Sequence, residues 1–457
     1  MTITYNALSG ALAAQAALNT VSQNLANVQT PGYTRQGVLL QATASDPGTL
    51  SAGNGVKIGS LLRFSNTYQL QQMWRANSDL GAHAQTQPYL SALEKVMSDD
   101  QSSISYGVDQ FFKALNAAGV DPTSSPLRQQ VVTTANSMAQ QFNSIYNVAA
   151  NQVTSVNQQQ QAILPSLNES LAGIALLNKQ IVSVGGSGTN TSALMDKREQ
   201  LIDSVASQVG VEVVYNPNGS VNVSLKSGEP LVMSDSASTV SYTNAAGGTP
   251  VLQLSYAGVQ FNLDDTKVGG QLGGLGDFKQ NTLIPLQTSI KELASQVAQK
   301  INTALGGGFK SDGTAGVPLF EDPPTSGVMQ IAAGFTSADL AFSSDGTPGD
   351  SGNLQNLIDV KGQTVTLTSL GGAPVILGDA DTQLVGKLGI DSQQNQALLA
   401  TATTVRSQAE DDWKSTSAVN SDEEGINLVE FQNMYQANMK VIAVANTLFE
   451  STLSMFG

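Results

Sequence analysis

Residues 5–36, Tyr-Asn-Ala-Leu-Ser-Gly-Ala-Leu-Ala-Ala-Gln-Ala-Ala-Leu-Asn-Thr-Val-Ser-Gln-Asn-Leu-Ala-Asn-Val-Gln-Thr-Pro-Gly-Tyr-Thr-Arg-Gln, decide how the rest of the chain is organised. Ala7, Ala11, Ala14, Leu18, Val21, Leu25 and Val28 recur at alternating spacings of 4 and 3, the period of an apolar helical seam. Ala11, Ala13, Ala14, Ala16 and Ala17 keep the first half of that helix slim, so a second helix can approach it closely. Its opposite face is Asn, Gln, Ser and Thr, with no charge. Pro31 disfavours helical backbone at Thr30, so the helix ends near Val28, and Pro31-Gly32 fits the centre of a type II turn.

The far end of the chain carries a matching pattern. Ser421 and Glu424 predict a capping box, and Asp422, Glu423 and Glu424 favour a helix N-terminus. Met434, Val441, Leu448 and Met455 then recur every seven residues, as do Tyr435, Ile442, Phe449 and Phe456. Asn438, Ala445 and Thr452 complete a face wider than one neighbouring helix needs. The C-terminal helix is thus expected to pack against more than one helix. Leu18, Val21, Leu25, Ile442, Ala445 and Phe449 are the candidate assembly residues.

Between these ends the period changes twice. Extended, turn-rich sequence over 33–63, with Pro47-Gly48 between two short strands, gives way to helix from Asn66 to about Lys95 and again over 108–118. After the break at Asp121-Pro122, residues 126–183 hold the longest periodic stretch, and Val131 to Ile181 would span about 75 Å as helix. Pro165 is expected to bend it, and Gly185-Gly186-Ser187-Gly188 to close it. A short helix is expected over 191–207. Alternating Val211, Val213, Tyr215 and Val221, Val223, Leu225 flank Asn216-Pro217-Asn218-Gly219, which is a hairpin pattern. Helix returns over 275–305, and a Gly-, Pro- and Asp-rich, strand-like region fills 306–392 before the final helices at 393–418 and 422–456.

The expected fold is therefore α+β and multidomain: an elongated, coiled-coil-like helical rod built from both chain ends, with two inserted, mainly antiparallel β domains. The boundaries are 1–32 with 422–457 for the terminal helices, and 33–207 with 269–305 and 393–421 for the rod. The β domains are 208–268 and 306–392.

Composition narrows the function. The net charge of −15 disfavours nucleic acid and anionic membranes, and the densest basic pair, Lys197-Arg198, is flanked by Asp196 and Glu199. Charged residues are 12% of the chain, about half the usual share, which leaves a neutral polar surface suited to packing against copies of itself. With no cysteine there are no disulfides, thiolate nucleophiles or Cys-ligated metals. No run suits a membrane span. The first charged side chain is Arg35, which is not the basic start of a secretory signal, so the chain is cytoplasmic or leaves by a route without signal cleavage.

No enzyme constellation emerges. His83, the single histidine, lies in polar helical sequence without a nucleophile pattern around it and reads as solvated or packed. Asp99-Asp100, Asp264-Asp265 and Asp411-Asp412 are sequence-adjacent acids that point in different directions on regular elements, unlike a glycosidase pair. Gly269–Gly276 lacks the Lys-Ser/Thr of a phosphate loop and reads as a turn into a helix. No cofactor and no metal site is expected.

Ser22-Gln23-Asn24-Leu25-Ala26-Asn27, with Thr30-Pro31-Gly32-Tyr33-Thr34-Arg35-Gln36, resembles the N-terminal signature of bacterial flagellar rod, hook and hook-associated axial proteins. Ala193–Ile202 (Ala-Leu-Met-Asp-Lys-Arg-Glu-Gln-Leu-Ile), Gly269–Leu275, Asn281–Leu286 and Asn427–Phe449 are similar to the hook-associated protein 1 family, while most of 306–392 matches nothing. The resemblance implies a non-enzymatic subunit of the ring that joins hook to filament. Its partners would be copies of itself, hook protein on one side, and a second hook-associated protein and filament on the other. An export chaperone would act at the C-terminal helix, and export would use the flagellar type III channel. Thr30, Pro31, Gly32, Tyr33 and Arg35 would form the family's turn. Two other readings compete: a rod or hook subunit, and a surface-binding or enzymatic module in 306–392.

Helices with little charge and much alanine are marginal until neighbours bury them. Limited proteolysis of the isolated chain is expected to trim both ends first; uniform protection along the chain would contradict this.

Overall fold

The computed structural model describes residues 2–44, 53–99, 101–186, 189–244, 250–324 and 327–456; the side chains of Thr2, Asn244 and Phe456 are not described. The expected turn at Pro47-Gly48, the acid Asp100 and the expected helix stop at Ser187-Gly188 lie outside the described residues, as does the Phe456 side chain.

The chain goes out along helices and returns along them. Helix α1 (Thr2–Ala26) leads to an antiparallel hairpin, β1 (Gln36–Ala42) and β2 (Val56–Arg63), whose register shifts between Leu39 and Leu40. Three helices come next: α2 (Thr67–Met97), α3 (Ile104–Ala118) and α4 (Ser125–Gly185). At 61 residues, α4 is about 90 Å long, and it runs unbroken through Pro165. A proline inside a helix costs about 3 kcal/mol, but Ile163, Leu164, Leu167 and Leu171 are all buried around it and hold the helix in one piece.

Helix α5 (Ser192–Gln208) precedes seven strands in two sheets. The four-stranded sheet is β3 (Val211–Tyr215), β4 (Val221–Leu225), β5 (Pro230–Met233) and β6 (Ser236–Ala237), in sequence order. The three-stranded sheet is β7 (Thr239–Asn244), β8 (Pro250–Tyr256) and β9 (Val259–Leu263). Val213 pairs with Val223 and Tyr215 with Val221, as the alternating pattern predicts.

The next helical run differs from expectation. Gly270 already begins α6 (Gly270–Phe278), a π-helical turn spans Lys279–Leu283, and α7 (Ile284–Gly306) continues without a break. The glycines thus form the helix rather than a turn before it. Close packing is the reason: a Cβ on Gly274 would lie 2.4 Å from the Ala82 carbonyl oxygen of α2.

The segment 306–392 is a larger correction. Its strands are the two-residue pair β10 (Phe320–Glu321) and β11 (Gln330–Ile331), and the three-residue pair β12 (Thr364–Thr366) and β13 (Pro374–Ile376). Between them lies α8 (Gly352–Asp359), and α9 (Ala380–Ser417) begins 13 residues earlier than position 393. Irregular chain, not β structure, dominates this part. Helix α10 (Ser421–Phe456) closes the chain, and its cap is not the expected Ser421–Glu424 box. The Asn420 side-chain oxygen accepts from Asp422 N–H at 2.9 Å and Glu423 N–H at 3.4 Å, which places the cap one residue earlier.

A single buried cluster runs from Leu70 to Trp413 and joins all the helices from α2 to α9 to the inner faces of the sheets. None of its members comes from α1, the first hairpin or α10. Those elements hold a second, slimmer seam, in which α1 packs along α10 and on both strands β1 and β2. No described helix is long and apolar enough to cross a membrane.

Short sheets leave backbone edges open, and carboxamides on the helices close them. Asn168 of α4 donates to the Val240 carbonyl at 2.9 Å and accepts from Val240 N–H at 2.8 Å, as a neighbouring strand would. Replacing Asn168 by Ala strands both groups and is expected to cost about 1–3 kcal/mol, read as a lower midpoint in denaturant unfolding. A change within error would mean that the clamp is idle.

Candidate assembly surface

The turn after α1 forms as its residues require. Tyr33 N–H donates to the Thr30 carbonyl at 3.2 Å across Pro31-Gly32, and Gly32 takes a φ of 71°, which a type II turn demands at that position. Asn24, 1% exposed, anchors the start of the hairpin: its amide donates to the Gln36 carbonyl at 2.8 Å, and its oxygen accepts from Gln36 N–H at 3.1 Å and Tyr33 Oη at 3.0 Å. Arg35 then ties the turn to the C-terminal segment. Its N–H donates to the Ser417 carbonyl at 2.8 Å, its guanidinium pairs with Glu423, and that guanidinium lies 4.5 Å above the Phe64 ring.

An ion cluster joins this elbow to the rod. Arg63, at the end of β2, donates from Nε to Asp196 Oδ1 at 2.9 Å and from Nη1 to Glu199 Oε1 at 2.9 Å. It also donates from Nη2 to Thr34 Oγ1 at 2.9 Å, while Thr34 N–H donates to Asp196 Oδ2 at 3.2 Å. The sequence motifs at 30–36 and 193–202 are therefore one structural unit. Burial pushes the Glu199 carboxyl up, against the pull of Arg63. Burial opposes the charge on Arg63 too, but Glu199 and Asp196 outweigh it and hold the guanidinium charged. Arg198 is 1% exposed and donates to Asn178 Oδ1 at 2.9 Å and the Gly219 carbonyl at 2.7 Å. The densest basic pair in the sequence is thus half internal.

The terminal seam uses the small residues. Ala7, Ala11, Ala14, Ala17 and Val21 of α1 are buried, and a Cβ on Gly10 would meet the Asn438 side chain of α10 at 2.5 Å. Of the candidate assembly residues, Val21 is buried, Leu18, Leu25, Ile442 and Ala445 are half-buried, and Phe449 is 66% exposed. Periodicity alone does not single out the outer face. Ile3, Tyr5, Leu8 and Leu12 of α1 are exposed, as are Val441, Val444, Leu448 and Leu453 of α10. Such an apolar surface suits a protein partner better than water.

The remaining candidate residues have local roles. His83 Nδ1 lies 2.8 Å from Asn395 Oδ1, between α2 and α9. Asp264 pairs with Lys267 at 2.9 Å and Asp265 with Lys279 at 2.8 Å, while Asp411 and Asp412 are exposed. Asp99 accepts from Gln101 and Ser102 N–H groups. Among the described residues, no group of three or more His, Cys, Asp or Glu side chains converges to hold a metal.

Paired chain ends, each with an exposed apolar stripe, have the form of a structural subunit with surface left to pack against other chains. In line with this, residues 5–34 match the model for flagella basal body rod proteins, and 415–455 that for the C-terminal part of the flagellar basal body rod FlgEFG proteins. Residues 90–320, just over half of the chain, match the flagellar hook-associated protein FlgK helical domain, and the chain belongs to that family. Similarity extends over nearly the whole length: flagellar hook-associated protein 1 of Escherichia coli K12 is 25% identical over 98% of this chain and 99% of its own. The Bacillus subtilis protein of the same name is 26% identical over 97% and 96%. The structure of the flagellar hook junction protein FlgK from Burkholderia pseudomallei superposes with a TM-score of 0.51 at 23% identity, over 55% of this chain and 47% of that one.

Removing Arg63 leaves two acids buried without their cation. Arg63→Met is expected to cost about 3–5 kcal/mol in denaturant unfolding at neutral pH. Glu199 binds its proton more tightly folded than unfolded, so its stabilising contribution is present at low pH and lost as pH rises through the folded pKa. Without Arg63 that shift grows, and the deficit should shrink as pH falls from about 8 to about 5; a deficit independent of pH would contradict the assignment.

Proposed function

We propose that the chain is a structural subunit of the junction between flagellar hook and filament, and that it assembles into a ring through α1 and α10. The observation that carries this reading is the terminal pair: its small residues face inward and its large apolar residues face outward. Whole-length similarity to hook-associated protein 1 supports the position at the junction. Hook protein would contact one side of the ring, with a second hook-associated protein and filament on the other. The outer face of α10, uncovered in the single chain, would engage an export chaperone before assembly. The chain would act without catalysis and reach the outside of the cell through the flagellar export channel, with no cleaved signal.

In this reading, 1–32 with 422–457 form the inner assembly unit, and 33–207, 269–305 and 393–421 the rod. The regions 208–268 and 306–392 face outward. The Leu18, Val21, Leu25, Ile442 and Ala445 positions hold the pair together, and Phe449 contacts neighbours directly.

Electron microscopy of cells lacking the chain should show hooks without filaments. Cells lacking hooks would favour a rod or hook subunit instead. Chains without 1–30 or 430–457 should remain soluble and folded but fail to support filament growth and swimming; normal motility from either would remove the ends from the assembly role.

A further inference from the structure

The exposed stripe of α10 contains one cation. Lys440 sits beside Val441 and Val444, is exposed, and has no hydrogen-bond or ion-pair partner among the described residues. Helix α1 carries no charge, and the other ionised residues of α10 are Asp422, Glu423, Glu424, Glu430 and Glu450, so Lys440 is the single cation of the terminal pair. Apolar stripes attract one another without fixing their alignment. A lone charge within such a stripe fixes it, because every misaligned arrangement buries that charge unpaired.

A counterpart lies at the elbow. A cavity of about 290 Å³ opens where α1, the hairpin and α10 meet, walled by Ala17, Val21, Phe64, Asn427 and Phe431. Glu424 also lines it; this side chain is 2% exposed, and its Oε2 is buried with no hydrogen-bond partner. A buried carboxylate oxygen without a donor is costly. Arg35 borders the same cavity, but its Nη1 pairs with Glu423, its guanidinium lies over Phe64, and its Nε, buried without a partner, makes no bond to Glu424. Arg35, Glu423 and Glu424 therefore leave one negative charge uncompensated. An incoming lysine would lay its aliphatic stem along the Phe64 and Phe431 walls and bring its ammonium to Glu424. Lys440 of the same chain cannot do so, because it is sixteen residues, about 24 Å, further along the helix.

We propose that this cavity receives Lys440 of a second copy of the chain, displaced along the helix axis by about 24 Å, and that the pairing sets the register between neighbouring terminal pairs. The inference rests on the junction reading and specifies its subunit contact. It also predicts that the acidic start of α10, not its apolar stripe, decides which alignment wins.

The natural chain has no cysteine, so a cross-link can report on this contact without background. In the full-length chain carrying both Asn427→Cys and Val444→Cys, which keeps Lys440, the two thiols are about 25 Å apart within one helix and cannot bridge in the monomer. Oxidised flagella from cells making this variant should yield covalent dimers and longer ladders, absent from each single variant and from the purified monomer. Normal amounts of the variant in flagella with no ladder would overturn the contact while leaving the junction role intact. A product joining the chain to a different protein would overturn the assignment to a second copy. Should the double variant fail to incorporate, single changes decide: Lys440→Glu should lower incorporation about tenfold, the scale of losing one charge pair, and Lys440→Arg should restore it. Equal incorporation of Lys440→Glu and the natural chain would overturn the proposal. Absence of even the natural chain from flagella would instead overturn the junction reading.

Discussion

Every sheet among the described residues is small, and a small sheet is mostly edge. Backbone N–H and C=O groups on an edge must find partners if they are to be covered, and here helix-borne carboxamides supply them. One Asn or Gln side chain offers a donor and an acceptor at the spacing of a strand, so it can stand in for one residue of a neighbouring strand. Asn178 holds Val221 in this way, at 2.8 Å and 3.0 Å. Gln296 of α7 holds Thr366, at 2.8 Å and 3.0 Å, and Asn302 holds Phe320. Asn143 closes the loop at Val328 and Met329, and Asn24 starts the first hairpin at Gln36. The long helices thus act as templates on which irregular chain is pinned. This gives the low charge and high amide content a structural meaning: neutral clamps do the anchoring that ion pairs would otherwise do, with a smaller desolvation cost.

The terminal pair obeys a different rule. In most helix pairs the large apolar side chains face each other and the small ones face water. Here Ala7, Ala11, Ala14 and Ala17 are buried while Leu8 and Leu12 are exposed. Close approach through alanine gains dispersion contacts between backbones but buries little area per residue, so the pair is weak for its length. The larger hydrophobic contribution is left for whatever covers the outer face. In the proposed assembly this division leaves the assembly energy unused within the monomer.

Much of this was legible in the sequence where regular repetition decided the outcome. The period of α4 survived Pro165 because its apolar positions continued on both sides of it, and the hairpin at 211–225 was marked by alternation and a turn. The failures have local causes. Gly269–Gly276 looked like a turn into a helix because glycine has poor helix propensity, and the close approaches of Gln208 to Gly270, Ala82 to Gly274 and Asp265 to Gly276 explain why glycine is required there. Ser421 looked like a cap because serine usually is one, while Asn420, an equally good cap, lay one residue before it. The chain from 306 to 379 is held by side chains distant in sequence, such as Arg128 reaching the carbonyls of Ser337 and Ala338 at 2.9 Å and 3.4 Å, and no periodicity reports such contacts. For the candidate assembly residues, a heptad count found the apolar positions but not which of two faces the chain keeps for itself.

The cluster at Arg63 shows how the two rules are reconciled. An alanine seam permits sliding, whereas a rod carrying load at a junction needs its terminal pair held at a defined angle. Arg63 makes directional bonds to Asp196, Glu199 and Thr34, which belong to the rod and to the turn after α1. A guanidinium in that position is more selective than an apolar contact, since rotation of the elbow would break several charge-assisted bonds together. The adaptable surface therefore lies on the outer faces of the terminal helices, and the rigid connection lies at their base. Buried charge at that base ties the terminal pair to the rod.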